Sequence, residues 1–340
     1  MAQYSPRVSG IGQEAVAKAC ANVALVKYWG KRDAIANLPA VGSISLTLAG
    51  LEAIARVGPG RPARFSSAGE GIGGTAGARM TGFLDWLSNA YGDGIELSAD
   101  IEANFPVAAG LASSAAIYCA VATAALSSVG ARVSRCELSG IARRGSGSAA
   151  RSVFGGLVEW HRGERTDGTD SHAEPLLGPA EWDIGMAVAV LDEGKKKTSS
   201  RDAMEHVAAT SPLYTAWVDA QDPDLVAMRA AIAARDLAAV GRITEENTLR
   251  MHAITLAARP PVIYWQPATL RVMHAVHAMR EDGIPAFFTM DAGPQVKVLT
   301  AGSELAMVCE RLAALPGVVR VLQARPGKGV EMVQGEAPWR

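Results

Sequence analysis

The stretch from Asn104 to Leu126, NFPVAAGLASSAAIYCAVATAAL, contains no charged residue. No other segment constrains the fold as strongly. Its second half, AAIYCAVATAAL, is apolar all the way round at helical spacing, so it must be enclosed by protein. Its first half carries Pro106, Gly110, Ser113 and Ser114, which end an extended run and open a helix. Just upstream, Ile95, Leu97, Ala99, Ile101, Ala103 and Phe105 alternate along the chain and share one face of a strand. Pro106 ends that strand, and a helix buried on most sides follows; the strands and helices that interleave after about residue 200 argue for an α+β sandwich half.

The junction at Pro106–Ser114 has two readings. Serine hydroxyls and free backbone N–H groups at a helix N-terminus suit a phosphate, which the positive end of the helix dipole favours. Gly110 allows close backbone approach, and Ala108, Ala109 and Ala112 leave room for a bulky anion. Equally, Ser113 or Ser114 serves as the N-cap of a core helix. Spacing does not separate these readings, and the GxxxxGK[ST] phosphate loop is absent.

At 340 residues the chain exceeds the size of one core, which predicts two lobes. Strand patterns dominate its first half. From about residue 200, long helices (SPLYTAWVDAQ, the run 223–254, PATLRVMHAVHAMREDG) alternate with the strands IPAFFTMD, QVKVLTA and VVRVLQA. The expected boundary lies near 180–195, giving lobes 1–190 and 191–340. Within the first lobe, the pattern predicts a strand to about Ala21 and then a turn or short helix carrying Lys27 to Lys31. Residues 43–57 read as two strands broken at Gly50, and the Gly-rich segment 66–80 as a surface loop.

With 33 basic and 34 acidic residues the net charge is −1, which gives no electrostatic case for nucleic-acid or membrane partners. Four cysteines without a CxxC pair argue against structural zinc and a disulfide framework. The N-terminus does not read as a leader, and no apolar run reaches spanning length. A cytoplasmic, enzyme-sized protein is expected.

Four further clusters carry chemistry. ANVALVKYWGKRD places Lys27, Lys31 and Arg32 around Tyr28 and Trp29. Taken alone the run reads as a solvated basic face. Against that, Tyr28 and Trp29 would be wasted on a fully solvated segment, and an aromatic hydroxyl beside two ammonium groups suits phosphate oxygens. ARRGSGSAARS offers Ser146, Ser148 and Arg151 between glycines; a helix starting near Ser148 puts Arg151 one turn on, able to grip a carboxylate bidentately. In TMDAGPQVKVL, Asp291 ends an apolar strand, as a catalytic carboxylate or as a turn residue. GKKKTSSRDAM sets Ser199 and Ser200 behind three lysines, to contact polyphosphate or to cap a helix. No histidine pair has metal spacing, and His274 and His277 read as structural.

Taken together and in this order, NVALVKYWGKRD with NLP and SISLTL, FPVAAGLASSAA, ARRGSGSAARSVFGGLVEW, KKKTSSRDAM and TMDAGP resemble the diphosphomevalonate decarboxylase family of the GHMP kinase superfamily. The motifs span residues 20–300. The resemblance implies an α+β GHMP kinase fold, with an N-terminal lobe like ribosomal protein S5 domain 2, a ferredoxin-like C-terminal lobe and a cleft between. It implies ATP and Mg²⁺ as cofactors, a phosphorylated mevalonate as substrate, and a homodimer. It also implies the reaction: ATP phosphorylates the 3-hydroxyl of 5-diphosphomevalonate, and phosphate and CO₂ then leave to give isopentenyl diphosphate.

By matching motif, Asp291 would orient or deprotonate that hydroxyl. Arg151 would hold the substrate carboxylate with Asn37 placing it, and Lys27 would sit near the reacting centre. Ser148 would contact substrate, and Tyr28 and Lys31 the diphosphate tail. Ala108, Ala109, Gly110, Leu111, Ser113 and Ser114 would cradle the ATP phosphates, Ser114 near the metal, with Ser199 or Ser200 assisting. The chain departs from the family pattern at Ala21, at Val41-Gly42 and at Gln295, where a change in the substrate pocket is one outcome. Rival readings are a 5-phosphomevalonate decarboxylase, a mevalonate 3-kinase-like phosphotransferase and a non-catalytic binding protein of the same fold.

Overall fold

The computed structural model describes residues 12–60, 65–67, 70–71, 74–105, 113–194 and 199–333. The first lobe runs β1 (Ala15–Val26), β2 (Lys31–Asp33), β3 (Leu38–Pro39), β4 (Ser43–Pro59), β5 (Phe65–Ser67), β6 (Glu70–Gly71), α1 (Gly74–Tyr91), β7 (Leu97–Ala103), α2 (Ser113–Ser128), α3 (Arg135–Gly145), α4 (Ala149–Ser152), β8 (Leu157–Trp160) and β9 (Ala173–Leu177). The second runs β10 (Ile184–Val190), α5 (Ser200–Thr210), α6 (Tyr214–Asp219), α7 (Gln221–Ala233), α8 (Leu237–Leu256), α9 (Pro267–Glu281), β11 (Ala286–Met290), β12 (Val296–Ala301), α10 (Leu305–Ala313) and β13 (Arg320–Ala324); β14 (Glu331–Met332) follows.

One eight-stranded sheet has the order β14-β1-β4-β7-β5-β6, with β8 joined to β4 and β9 to β8. A four-stranded antiparallel sheet has the order β11-β12-β10-β13. The charge-free helix is α2. Every residue from Ala115 to Ala122 is buried, in one cluster with the inward side chains of β1, β4 and β7. Its alanines let the backbone lie close to the sheet, and its buried face extends round the helix as the sequence demanded.

In β10, Ile184, Met186, Val188 and Val190 pack into this same cluster. Ala187, Ala189 and Leu191 face the core formed with α9, α10 and β11–β12. Covered on both faces, the strand loses the alternation of a half-buried one. Its hydrogen bonds are with β12 and β13, so by strand pairing β10 belongs with the second lobe.

Several expectations are corrected. β1 continues past Ala21 to Val26; of the two readings of Lys27–Lys31 the turn holds and the short helix does not, the chain turning with Gly30 at φ +97° into the small β2–β3 ribbon. Residues Ala21–Val26 are all buried, so period-two alternation vanishes where helices cover the outer face. The 43–57 segment is one long strand. Gly50, at φ +81°, marks a bulge: Cys20 pairs with Glu52 but Asn22 with Thr47. Short strands β5 and β6 and the start of α1 occupy the segment read as a loop. The helical run 223–254 is two helices, broken where Arg235 takes φ +53° and Asp236 caps α8 by accepting from the Ala239 N–H at 3.0 Å.

Candidate active site

Lys27, Arg151 and Asp291 come together where the two lobes meet. β1 ends at Val26 and delivers Lys27, whose backbone N–H donates to Asn247 Oδ1 of α8 at 2.8 Å. Its buried ammonium donates to the Ala24 carbonyl at 2.8 Å and to Asp291 Oδ1 at 2.8 Å. Asp291 lies just beyond β11, and its Oδ2 meets Lys297 Nζ of β12 at 3.0 Å. One carboxylate, with 25% of its side chain exposed, thus bridges two buried ammonium groups.

Burial alone would raise the Asp291 pKa; Lys27 and Lys297 outweigh it and hold the group well below the usual carboxylate range. Burial pushes Lys27 down to about 8, against the opposing pull of Asp291. Behind the pair lies His252, fully buried, with its ring against Tyr264 and Trp265. Burial first, then the Lys27 charge, brings its pKa to about 3, so this imidazole is neutral.

Arg151 stands in α4, as the helix start near Ser148 predicted. Its guanidinium is buried; Nε donates to Asn22 Oδ1 at 3.2 Å and Nη1 to Ser43 Oγ at 2.5 Å. Asn22 is itself fixed by donating to the Ser148 carbonyl at 3.0 Å and Ser152 Oγ at 2.8 Å. Burial lowers the Arg151 pKa to about 10, while the Asp291 charge pulls it upward. The expected role of Asn37 in placing Arg151 is overturned. Asn37, at φ +55°, donates to the Arg143 and Arg144 carbonyls at 3.0 and 3.2 Å, tying the β2–β3 ribbon to the end of α3. Asn22 and Ser43 hold the arginine instead.

Tyr28 and Trp29 point opposite ways. Tyr28 meets Trp160 edge-on at 4.8 Å between centroids, and a Cβ on Gly147 would lie 2.8 Å from its ring. Trp29 anchors the segment among Ala203, Val207, Trp217 and Met251 of α5, α6 and α8. Lys31 Nζ is buried without a hydrogen-bond partner. Its pKa falls to about 8, first through burial and then through the Arg201 charge, with Arg79 adding to it. The Glu205 charge opposes them, and an ammonium buried without a partner carries a desolvation cost that a bound anion would relieve.

Ser113 and Ser114 open α2. Ser146 Oγ donates to Ser114 Oγ at 3.2 Å and lies 3.3 Å from Ser148 Oγ, so three hydroxyls line the seam between α2 and α4. Ala108, Ala109, Gly110 and Leu111 lie outside the described residues, as do the three lysines of GKKKTSS. Ser199 is a cap: its Oγ accepts from the Asp202 N–H at 3.1 Å at the start of α5, with Ser200 half-buried beside it.

The departures fall in the walls. Ala21 and Val41 are buried, and a Cβ on Gly42 would meet Leu225 Cδ1 at 2.8 Å. Gln295 Oε1 accepts from the Leu191 N–H at 2.6 Å, clamping the exit of β10. Lys297, Asn22, Ser43, Arg201 and His252 were not singled out from the sequence. TMDAGPQVK displays Lys297 two residues into a strand, but nothing local says that it turns back to Asp291.

An α2-type serine-bearing helix N-terminus over an eight-stranded sheet, joined to a four-stranded antiparallel lobe, is the fold of the GHMP kinase superfamily. The family model described as Diphosphomevalonate decarboxylase-like N-terminal domain matches residues 19–173, and that described as Mevalonate 5-diphosphate decarboxylase C-terminal domain matches residues 186–327. The diphosphomevalonate decarboxylase of Eremothecium gossypii is 34% identical over 324 residues, covering 87% of this chain and 80% of the relative. The crystal structure of mevalonate diphosphate decarboxylase from Staphylococcus aureus superposes with a TM-score of 0.89 at 34% identity, covering 95% of this chain and 99% of that one. A complex of MDDEF with MVAPP, AMPPCP and magnesium superposes with a TM-score of 0.88 at 35% identity, covering 95% and 100%. The chain belongs to the diphosphomevalonate decarboxylase family.

Proposed function

We infer that this chain is an ATP-dependent decarboxylase that converts 5-diphosphomevalonate to isopentenyl diphosphate in the mevalonate pathway. Family membership supports the reaction. The observation that carries its residue assignment is the Asp291 carboxylate clamped between Lys27 and Lys297, within the electrostatic reach of Arg151.

A tertiary hydroxyl is a poor leaving group, so it is first phosphorylated. Phosphoryl transfer through a loose transition state asks for positioning and charge compensation more than for a strong base. Asp291 fits that demand: held ionised by two lysines, it accepts the hydroxyl's hydrogen bond and takes its proton late. When phosphate departs, positive charge grows at the tertiary carbon and the substrate carboxylate breaks down to CO₂, leaving the new double bond. Arg151, fixed by Asn22 and Ser43, is assigned to hold that carboxylate, and Ser148 to contact the substrate beside it. Tyr28 and Lys31, with Arg201 and Arg79 near, are assigned to the diphosphate tail. The cationic group around Lys31 favours a diphosphate over a monophosphate.

Ser113, Ser114 and the segment 108–111 are assigned to the ATP phosphates. Magnesium prefers hard oxygen donors and shares them with phosphates and water; the exposed hydroxyl of Ser114, hydrogen-bonded to Ser146, is such a donor. Bound there, Mg²⁺ would neutralise charge on the transferring phosphates. Ser199 is assigned a supporting role at the α5 N-terminus, with Ser200 next to it. The reading extends to a cytoplasmic homodimer, in keeping with the family resemblance and with free cysteines. No helix among the described residues is long and apolar enough to cross a membrane.

The test is to supply ATP, Mg²⁺ and each phosphorylated mevalonate to the purified protein and to measure CO₂ and ADP. CO₂ from the diphosphate is expected. CO₂ from the monophosphate alone would transfer the assignment to that substrate; ADP without CO₂ would mean a 3-kinase, and neither product a binding protein. Asp291→Asn is expected to lower kcat by roughly 10³-fold or more, with near-normal CO₂ release refuting its role.

A further inference from the structure

Away from the lobe junction, the β8–β9 hairpin brings together side chains that the reaction does not use. Its ladder pairs Trp160 with Ala173 and Glu159 with Glu174, and the His161 N–H donates to the His172 carbonyl at 3.0 Å just beyond it. Trp160 and Ala173 are buried in the core, so His161, His172 and Glu174 share the opposite face of the hairpin. His161 Nε2 and His172 Nε2 both stand 3.3 Å from the Glu174 carboxylate, one at each oxygen. Across from them, Cys136 in the first turn of α3 brings a thiol. Ligand atoms of Cys136, His172 and Glu174 all lie within 4.8 Å of one another.

We propose that Cys136, His161, His172 and Glu174 form a Zn²⁺-binding site. One thiolate, two imidazoles and one carboxylate are a donor set that suits zinc and excludes magnesium, which takes oxygen almost alone. Bond lengths of 2.0–2.3 Å in a tetrahedron separate ligand atoms by about 3.3–3.8 Å. The His172–Glu174 distance already matches this edge; His161 stands at the other carboxylate oxygen, outside the 4.8 Å group, and it and the exposed Cys136 sulfur come into range by side-chain rotation. While His161 Nε2 faces Glu174, Glu159 Oε1 stands 3.7 Å from its Nδ1, itself fixed by Arg229 at 2.7 Å. A carboxylate behind a ligating imidazole is the usual outer support of a zinc site. Metal here would add a staple between α3 and the β8–β9 hairpin, which already meet where the Ala173 N–H donates to Ser139 Oγ at 2.8 Å and Arg143 donates to the Gly168 and Ser171 carbonyls at 2.9 and 2.6 Å. The proposal is independent of the functional reading.

The test is a titration of the purified full chain with Zn²⁺, and with Co²⁺ as the spectroscopic probe, in the presence of excess Mg²⁺. About one equivalent is expected to bind, with thiolate-to-cobalt absorption in the near ultraviolet and the strong visible bands of a four-coordinate ion. Cys136→Ser is expected to abolish the thiolate band, and His161→Ala and His172→Ala to weaken binding at least about tenfold. Retained circular dichroism and CO₂ release in zinc-free, magnesium-containing buffer would show that the variants fold. No thiolate band, a band that survives Cys136→Ser, or displacement by Mg²⁺ would each overturn the site.

Discussion

The catalytic role assigned to Asp291 rests on the relation of one carboxylate to two lysines. A single Lys27–Asp291 pair would hold the acid ionised; Lys297 adds a second ammonium on the other oxygen. Lys297→Met removes one of the two charges that depress the Asp291 pKa, so that pKa moves up. On the role assigned to Asp291, activity would need the ionised form and be lost as pH falls through this pKa. The acid limb of kcat is therefore expected to appear at higher pH in Lys297→Met, and Lys297→Arg is expected to restore it. An unmoved acid limb, or no rescue by arginine, would leave Lys297 a merely structural partner. The alkaline side has its own origin. Lys27 and Lys31 both have pKa values near 8, so kcat/KM of the free enzyme is expected to fall as pH rises through about 8. In Lys31→Arg the fall should persist, because Lys27 still loses its proton. A profile flat to pH 10 in that variant would disprove the assignment to Lys27.

At the scale of elements, α4 is the part that a small change would upset most directly. Gly147 precedes it, and a methyl group there would press on the Tyr28 ring, 2.8 Å away. Gly147→Ala is expected to raise KM for the diphosphorylated substrate, by about tenfold, with a smaller change in kcat, because it displaces a binding group and not the reacting one. Equal losses in kcat and kcat/KM would contradict this placing of Tyr28. The same elements show what a linear reading reaches. Strand β7 and helix α2 were legible because one alternates and the other is apolar throughout, and Arg151 because its helix starts where the serine and glycines say. The end of β1 was not, since a strand covered on both faces has no period to read. Nor was the Asn22–Arg151 bond, which joins residues 129 positions apart. Asn37 was misassigned for a related reason: nothing in NLP reveals that its side chain caps the end of α3. Lys297 needed the β11–β12 turn to be folded before its ammonium could be placed.

The whole molecule is tied together by its last described segment. After β13 the chain re-enters the first lobe, where Gly327 donates to the Thr47 carbonyl at 2.8 Å and its own carbonyl accepts from Gly156 at 2.9 Å. A Cβ at Gly327 would stand 2.6 Å from the Ala49 backbone nitrogen, and backbone cannot rotate aside as a side chain can. Gly327→Ala is expected to cost about 1–3 kcal/mol in urea denaturation; a loss below about 0.5 kcal/mol would show that the seam is loose. Farther on, β14 pairs along β1, with Ala17 opposite Met332 and Lys18 opposite Glu331. Synthesis runs in the other sense. The ribosome releases β1 and β4 early, and residues 325–332 only after the entire second lobe. Until then the first sheet keeps an unpaired outer strand, a template for another nascent chain. The lobes therefore mature nested, the first finishing last.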